Sequence, residues 1–327
     1  MPMMKTVRLA VEAARRDGSL PFDLELVPVD DQAEPDKART VAEHLASDGS
    51  VLGVVGHKNS GPCRAAGPVY ASAGLVQLTP SATNTGLAQH GWPTFFRLCA
   101  DNDRQAHAAA RFALTELQVR RVAAVHDNTG YGRPLAETFV SAVEGGGAEV
   151  ALMEEVALGQ REFQATVESL AATQVDLIYF GLTEIESSHL VRALRQAGVS
   201  SACFGADGGR TSPFPELAGE SAEGVYETYA GADPTASPAG REFLRACEQA
   251  YGKCPIFGTE AYDAAQVLLE AIREARVPSR DAVLENVREL SGFEGVTGPI
   301  AFAPDGNRCN AQVTIWQVRG GEMTLLA

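Results

Sequence analysis

The chain has 327 residues, of which 45% are hydrophobic and 21% charged, an ordinary balance for a globular protein of up to two domains. Its 27 Lys and Arg residues face 42 Asp and Glu residues, so the formal net charge is −15 at pH 7. A chain this acidic lacks the cationic surface that binds nucleic acid or anionic membranes, and neither is predicted as a partner. Its longest apolar runs are strand-sized, which argues against direct membrane insertion.

Apolar, β-rich runs alternate with helical runs over most of the chain. The predicted strands are 24–29, 51–55, 75–78, 121–126, 149–156, 176–180 and 203–205. The predicted helices among them are 35–47, 62–73, 133–144, 162–173 and 186–197. Strands that alternate with helices of this length indicate βαβ units, so the predicted fold class is α/β with parallel sheets.

Two such runs are separated by a break near Asp101. The remainder is predicted to contain helices 239–251, 259–275 and 279–290, followed by strands 299–302, 311–318 and 323–326. The chain opens with a predicted helix, 5–16, whereas a doubly wound domain normally opens with a strand. The first strand of the first sheet is therefore missing, and we expect the natural polypeptide to begin further upstream with that strand and a signal peptide.

The N-terminus and the cysteines carry little chemical information. Met1–Ala10 contains no apolar core followed by a small-residue cleavage site. A mature chain would lack these features too, so their absence does not identify the cellular compartment. The six cysteines form no CxxC pair or zinc-like cluster, and they are predicted to be small buried hydrophobes without a metal. Cys247 and Cys254 are the only close pair, and a bridge between them would need a helix to end in between, which Gly252 permits.

No catalytic signature is present in the sequence. The chain contains no P-loop, HExxH or GxSxG motif, and no nucleophile–base pair can be assigned. His57 and His126 follow predicted strands, where ligand sites of α/β proteins lie, so either could serve as a general base beside Asp127. No catalytic residue and no cofactor are predicted.

Three loops that follow predicted strands are rich in small polar residues: His57–Gly61, Thr79–Asn84 and Gly205–Gly208. The first opens a helix, which Ser60 is placed to cap, so backbone N–H groups there could hold an anion. Hydroxyls and N–H groups on one wall and the carboxylate of Asp207 on the other would suit a zwitterion. The alternative is that these residues are ordinary caps and turns.

Several segments resemble the periplasmic leucine/isoleucine/valine-binding protein family, the type I solute-binding proteins of ABC importers. The matching segments occur in family order across nearly the whole chain. They are Gly53–His57, Thr79–Asn84, Asp127–Gly132, Phe204–Gly208, Ala222–Gly224, Ala261–Ala264, Gly298–Pro299, Phe302 and Asp305–Gly306.

The resemblance implies a set of ligand-binding residues. Ser60 and Thr83 resemble the residues that hold the ligand α-carboxylate, and Ser81 resembles the one whose carbonyl accepts from the ammonium group. Ala82, between Ser81 and Thr83, is also predicted to be a ligand-binding residue. Asp207 matches an acid, often Glu, that pairs with the ammonium group.

Two further positions bear on the ligand side chain. Tyr131 resembles an aromatic wall, whereas Thr183 stands where branched-chain binders have an aromatic residue. A smaller or more polar ligand is therefore plausible. The family's disulfide from the acidic turn to the first binding loop has no counterpart, since Asp30–Glu34 contains no cysteine.

The resemblance also implies two lobes of Venus-flytrap architecture with a ligand cleft between them. Lobe one is expected to comprise 1–100 plus 230–305, and lobe two 101–229 plus 306–327. An amino acid, branched-chain or small and polar, or a related small molecule would bind by hinge closure, and a membrane permease would recognise the closed form. The resemblance places such a protein in the periplasm or at the cell surface.

Two alternatives belong to other functional classes. One is a cytoplasmic sensor of the same fold that binds an amide or amino acid and regulates a partner protein, which the absence of a signal peptide favours. The other is an enzyme that uses His57 or His126 beside Asp127.

Overall fold

A computed structural model describes residues 2–18, 20, 23–208, 213–275 and 277–326 of the chain. The helices are α1 Pro2–Asp17, α2 Pro35–Ser47, α3 Ser60–Ser72, α4 Gly86–Gln89, α5 Asn102–Thr115, α6 Gly132–Gly145, α7 Gln164–Thr173, α8 Glu184–Gln196, α9 Pro213–Ala218, α10 Pro238–Tyr251, α11 Gly258–Glu274 and α12 Arg280–Arg288. The strands are β1 Gly53–Val55, β2 Val76–Thr79, β3 Phe95–Arg97, β4 Arg121–Asp127, β5 Glu149–Val156, β6 Leu177–Gly181, β7 Ala202–Gly205, β8 Tyr226–Tyr229, β9 Phe293–Gly295, β10 Gly298–Ile300, β11 Thr314–Arg319 and β12 Glu322–Leu325.

The chain divides into two compact units. Unit 1 comprises Met1–Ala100 and Gly231–Gln312, and unit 2 comprises Asp101–Ala230 and Val313–Ala327. Residues 306–312, which were predicted in the second lobe, lie in unit 1, and residue 230, which was predicted in the first lobe, lies in unit 2. The reason is local hydrogen bonding, since the N–H of Arg97 donates to the carbonyl of Gly306 at 2.9 Å.

Unit 1 contains a small parallel sheet with strand order β1-β2-β3. One face of the sheet packs on α11, where Val76, Leu78 and Phe96 share a buried cluster with Val267 and Leu268. On the other side α2 and α3 form a second cluster with Leu75. Because β1 and β2 are parallel neighbours, the loops that follow them leave the same edge of the sheet.

The predicted strand 24–29 is wrong, because these residues form no strand in the structure. Their apolar positions have a packing role instead: Leu24 and Leu26 contact the cluster between α1 and α11, and Val29 contacts the cluster of α2 and α3. A strand also needs a neighbouring ladder, and among the described residues β1 pairs with β2 alone. The apolar positions of this segment thus indicated packing contacts at Leu24, Leu26 and Val29 but not backbone pairing, and Val27 is exposed.

Unit 2 contains a seven-stranded sheet of order β12-β11-β8-β7-β6-β4-β5. Strands β4 to β8 run parallel, and β11 and β12 close the sheet in antiparallel fashion. One buried cluster includes Ile178 and Phe180, and the other includes Leu177 and Tyr179. Alternate side chains of β6 therefore point into different cores, which explains why the strand reads as continuously apolar.

Most other predicted elements are confirmed within a few residues, but α4, α5, α9, β3, β8 and β9 were not predicted. Helix α5 begins where a break was predicted, because the Asp101 side chain accepts from the N–H of Arg104 at 2.9 Å and caps the helix. Strand β8 contains the charged residue Glu227, which hid it from a search for apolar runs. None of the helices in the described ranges combines the length and apolar character that crossing a membrane requires.

The cysteine predictions are confirmed in part. None of the six cysteines forms a disulfide in the described structure; Cys63, Cys99, Cys203 and Cys247 are buried, whereas Cys254 is only partly buried. Cys309 is exposed, so its predicted burial is wrong. It lies on the loop between β10 and β11, outside every hydrophobic cluster.

Candidate functional site

In unit 1 the first two polar loops lie against each other. The Ser81 hydroxyl donates to the carbonyl of Lys58 at 2.9 Å, and the Ser60 hydroxyl accepts from the N–H of Asn84 at 3.2 Å. The structure therefore brings Ser60 together with the loop that contains Ser81, Ala82 and Thr83. All four of these side chains are buried in the described structure.

Ser60 does not have the capping role that its position suggested. Helix α3 begins at Ser60 itself, and Asn59 occupies the cap position without a side-chain hydrogen bond. The Ser60 hydroxyl binds across to Asn84 instead, because the second loop reaches over the start of α3. This contact joins the two loops and keeps the Ser60 oxygen at their junction.

The hydroxyl of Thr79, the last residue of β2, is hydrogen-bonded to both loops. Its hydroxyl donates to the carbonyl of His57 at 2.8 Å and accepts from the N–H of Ala82 at 3.0 Å. From the sequence alone, Thr79 is only the first residue of a polar loop. A threonine directly after a buried strand, followed by Pro80, is the signal that could have indicated this turn-forming role.

Arg97 is a second residue that the sequence analysis missed. Its side chain is fully buried, and one guanidinium nitrogen donates to the carbonyls of Ala82 at 3.2 Å and Asn84 at 2.7 Å. Its Nε donates to Oδ1 of Asn307 at 2.9 Å. An arginine buried under a loop holds the carbonyls of that loop in place, and an isolated arginine after two phenylalanines in β3 was the available signal.

Thr83 differs from its neighbours because its hydroxyl has no hydrogen-bond partner among the described residues. The residue is 1% exposed, and Oγ1 forms no hydrogen bond within the described ranges. A buried hydroxyl left unsatisfied costs about 1–3 kcal/mol, so such groups are rare unless they serve a ligand or water. Among the predicted ligand residues of unit 1, Thr83 is the one whose buried hydroxyl is unsatisfied in the described structure.

Both candidate histidines are hydrogen-bonded to protein groups. Both ring nitrogens of His57 have protein partners, Asp31 at 2.6 Å and the Tyr70 hydroxyl at 3.1 Å. Nδ1 of His126 lies 2.9 Å from the backbone carbonyl of Asp127. The Asp127 carboxylate accepts from Thr129 instead, and burial raises the pKa of that carboxyl.

In unit 2 the predicted ligand residues Tyr131 and Asp207 are in contact. The Tyr131 hydroxyl donates to Oδ1 of Asp207 at 3.1 Å and accepts from the N–H of Gly208 at 2.8 Å. Burial, followed by the nearby charge of Asp207, raises the pKa of Tyr131, so the phenol stays protonated and remains a donor. Tyr131 thus orients the Asp207 carboxylate as well as offering a ring.

Tyr179 is a further residue of unit 2 that the sequence analysis placed only in a strand. Its ring stacks on Phe139 with centroids 3.8 Å apart, and its hydroxyl is buried without a hydrogen-bond partner in the described part of the chain. Burial, followed by the charge of Asp207, raises the pKa of Tyr179. The phenol therefore lies within the electrostatic influence of the carboxylate that the ligand is expected to meet.

Thr183 stands at the start of α8 with its hydroxyl already engaged. It donates to the carboxylate of Glu186, which also accepts from the N–H of Gly159. Glu186 is 1% exposed, so this is a buried polar network. The loop of Thr183 lies next to that of Asp207, since a Cβ built on Gly208 would meet the carbonyl of Leu182 at 2.6 Å.

Comparisons with known proteins add a family and a fold. The model of the family described as periplasmic binding protein matches residues 1–322. The leucine-, isoleucine-, valine-, threonine-, and alanine-binding protein of Pseudomonas aeruginosa is 29% identical over 313 residues, which are 94% of this chain and 83% of that protein. Leu/Ile/Val-binding protein homolog 1 of Brucella abortus is 28% identical over 278 residues, 85% of this chain and 74% of that protein.

Two solved structures share the fold at low sequence identity. The branched-chain amino acid transporter substrate binding protein LivJ from Streptococcus pneumoniae, in complex with isoleucine, has a TM-score of 0.91 and 24% identity, and the match covers 99% of this chain and 94% of that one. A solute binding protein from R. palustris in complex with benzoate has a TM-score of 0.86 and 18% identity, covering 99% of this chain and 91% of that one. The same fold therefore holds chemically different small carboxylates.

Proposed function

Since the chain belongs to the periplasmic binding protein family, whose model matches residues 1–322, we propose that it is the solute-binding component of an ABC importer for an amino acid. A membrane permease is the proposed partner, and the periplasm or cell surface the proposed location. Relatives named for binding leucine, isoleucine and valine support this function.

The observation that carries the proposal is the buried hydroxyl of Thr83, which lacks a protein partner in the described structure. In the proposed complex this hydroxyl and that of Ser60 donate to the ligand carboxylate. The ammonium group donates to the Ser81 carbonyl and to Asp207, whose carboxylate Tyr131 already orients. Hydrogen bonds to charged groups are the stronger class, so these contacts would supply most of the specificity for an α-amino acid.

We further propose that ligand binding is coupled to hinge closure. The proposed carboxylate contacts belong to unit 1, and Tyr131, Thr183 and Asp207 belong to unit 2. A ligand that contacts both units binds one conformation better than others and shifts the population toward it. The permease would then recognise the ligand-bound conformation.

The ligand side chain is proposed to be small or medium-sized. Thr183 offers a methyl group where an aromatic ring would cover more apolar surface, and its hydroxyl is engaged by Glu186. The loss of aromatic contact weakens selection for large aliphatic side chains. The name of the Pseudomonas relative includes threonine and alanine beside the branched-chain amino acids, which supports a broad small-side-chain range.

A thermal-shift screen of the purified chain tests the function. The ligands are the twenty amino acids, small amides, urea and benzoate. At 100 times its dissociation constant a true ligand stabilises the protein by about 2.7 kcal/mol, which moves the midpoint by several degrees. We expect shifts with leucine, valine, threonine or alanine. A cooperative transition that no amino acid shifts would contradict the proposal.

Asp207→Asn provides the matched test of the site. The amide keeps an oxygen that accepts from Tyr131, so the ligand-free midpoint should be unchanged while the amino-acid shift is lost, because the ammonium group loses its charged partner. Glu168→Gln, on the exposed face of α7, is the control for loss of one negative charge. Equal shifts in Asp207→Asn and Glu168→Gln would refute the role of Asp207.

A further inference from the structure

His57 is a buried imidazole in unit 1 that is held at both ring nitrogens. Nδ1 lies 2.6 Å from Oδ2 of Asp31, and Nε2 lies 3.1 Å from the hydroxyl of Tyr70. The rings of His57 and Tyr70 also stack, with centroids 5.9 Å apart and planes inclined by 26°. His57 is 7% exposed and Tyr70 is fully buried, so this contact is part of the interior rather than of a solvated surface.

The protons of this group can be assigned from its chemistry. The hydrogen bond from His57 lowers the pKa of Asp31, so Asp31 is an ionised carboxylate at neutral pH and Nδ1 must carry the proton between them. Burial raises the pKa of Tyr70, which therefore stays a phenol that can both donate and accept. Nε2 thus has a partner whether it is protonated or not, and the ring orientation does not depend on the charge of His57.

The backbone of His57 supports both polar loops of unit 1. Its carbonyl accepts from the Thr79 hydroxyl at 2.8 Å, and the carbonyl of the next residue, Lys58, accepts from Ser81 at 2.9 Å. Two residues further on, Ser60 accepts from Asn84. Fixing the imidazole therefore fixes the peptide units to which the second loop is attached.

The surroundings of His57 contain few other titratable groups. Helix α3 contributes Tyr70 and the buried thiol of Cys63, whose pKa burial raises to about 12. The turn before α2 contributes Asp31. At neutral pH the carboxylate is the charged partner that these neighbours offer to the imidazole.

We infer that His57 is a positioning residue for the ligand, anchored by Asp31 and Tyr70. It contacts no proposed ligand atom. Its role is to hold Ser60, Ser81 and Thr83 in register by fixing the loop on which they depend. This inference rests on the proposed function for the identity of the ligand, and on the hydrogen bonds of unit 1 for the positioning itself.

Asp31→Asn tests the inference, and Asp30→Asn is its matched control. Both aspartates accept a backbone N–H two residues ahead, Ala33 at 2.8 Å and Gln32 at 2.9 Å, but only Asp31 is bonded to His57 in the described structure. In Asp31→Asn the introduced amide would use its oxygen for the N–H of Ala33 and present its own N–H groups to Nδ1. The His57 proton should then move to Nε2, which ¹⁵N NMR of the ring nitrogens detects.

We expect Asp31→Asn to weaken leucine binding about tenfold by calorimetry, the effect of one hydrogen bond to a charged group. Backbone amides of 57–61 and 79–84 should exchange with deuterium about tenfold faster in the ligand-free protein. Tyr70→Phe, which keeps the stacked ring, should also weaken leucine binding and speed amide exchange, but by smaller factors than Asp31→Asn. Asp30→Asn should resemble the unaltered protein.

The amide-exchange and leucine-binding measurements test the inference and the proposed function separately. Loop exchange in Asp31→Asn equal to that in Asp30→Asn would overturn the inference, whatever leucine does. Faster exchange with unchanged leucine affinity would also overturn it, since the loop would then be anchored without effect on the ligand. A failure of leucine and every other amino acid to bind the unaltered protein would contradict the proposed function, while the exchange comparison would still decide whether His57 anchors the loops.

Discussion

At the scale of single residues, Thr83 and Thr79 show how the same side chain can serve a ligand or the fold. They lie four positions apart, and both are buried. The Thr79 hydroxyl bonds to His57 and Ala82, whereas that of Thr83 has no partner in the described ranges. Burial alone does not distinguish the two threonines, but their hydrogen-bond partners do.

Thr83→Val is predicted to separate ligand affinity from stability. Valine has nearly the same shape and removes an unsatisfied buried hydroxyl, so the free energy of unfolding should stay the same or rise by up to about 1 kcal/mol. Ligand affinity should fall about tenfold or more, because a hydrogen bond to a carboxylate is lost. Urea unfolding and calorimetry measure the two quantities.

Thr79→Val serves as the control for that variant. It removes hydrogen bonds that already exist in the ligand-free protein, so we expect about 2 kcal/mol of destabilisation. If Thr83→Val is destabilised to the same extent as Thr79→Val, the Thr83 hydroxyl has a structural partner, and its assignment as a ligand contact fails.

At the scale of elements, the start of α6 and the end of β6 approach each other through two glycines. A Cβ built on Gly181 would lie 2.6 Å from the carbonyl oxygen of Gly132, and one built on Gly132 would lie 2.3 Å from that of Gly181. Backbone atoms cannot yield as a flexible side chain does. This contact sets the position of Tyr131, which directly precedes α6.

Gly181→Ala is predicted to destabilise the protein by about 1–3 kcal/mol, the usual cost of overpacking, and to weaken ligand binding by displacing Tyr131. Gly145→Ala, at the last residue of α6, is the control, since no atom lies within 4 Å of its built Cβ. Alanine there should be neutral or stabilising by up to about 1 kcal/mol. Urea unfolding of both variants checks the prediction, and equal stabilities would contradict it.

At the scale of the whole molecule, the chain passes between unit 1 and unit 2 three times, after residues 100, 230 and 312. Under the proposed function a ligand that contacts both units favours the conformation in which those contacts coexist. We predict that the radius of gyration measured by small-angle X-ray scattering falls when the amino acid found in the thermal-shift screen is added. Asp207→Asn at the same amino-acid concentration should show no change, and an equal decrease in that variant would contradict ligand-driven closure.

The sequence alone predicted much of the fold and of the candidate site. Strand and helix periodicity depends on which side chains are buried, so α2 and β5 were predicted with the bounds that the structure has. The polar loops after strands were likewise predictable, because parallel strands bring their carboxyl ends to one edge of a sheet. In unit 1 the loops of Ser60 and Ser81 are hydrogen-bonded to each other, and in unit 2 Tyr131 is hydrogen-bonded to Asp207.

Only the tertiary structure decided which polar groups are satisfied and which are left for a ligand. Arg97 binds to carbonyls 15 and 13 residues away in the chain and to Asn307, and His57 binds to Asp31, contacts that no local pattern encodes. The segment 24–29 has the alternation of a strand, yet backbone pairing depends on a neighbour that its own residues do not specify. Burial is largely a property of each residue, and a short sequence window can report it. Hydrogen-bond partnership is a property of pairs that folding brings together, which is why it appeared only in three dimensions.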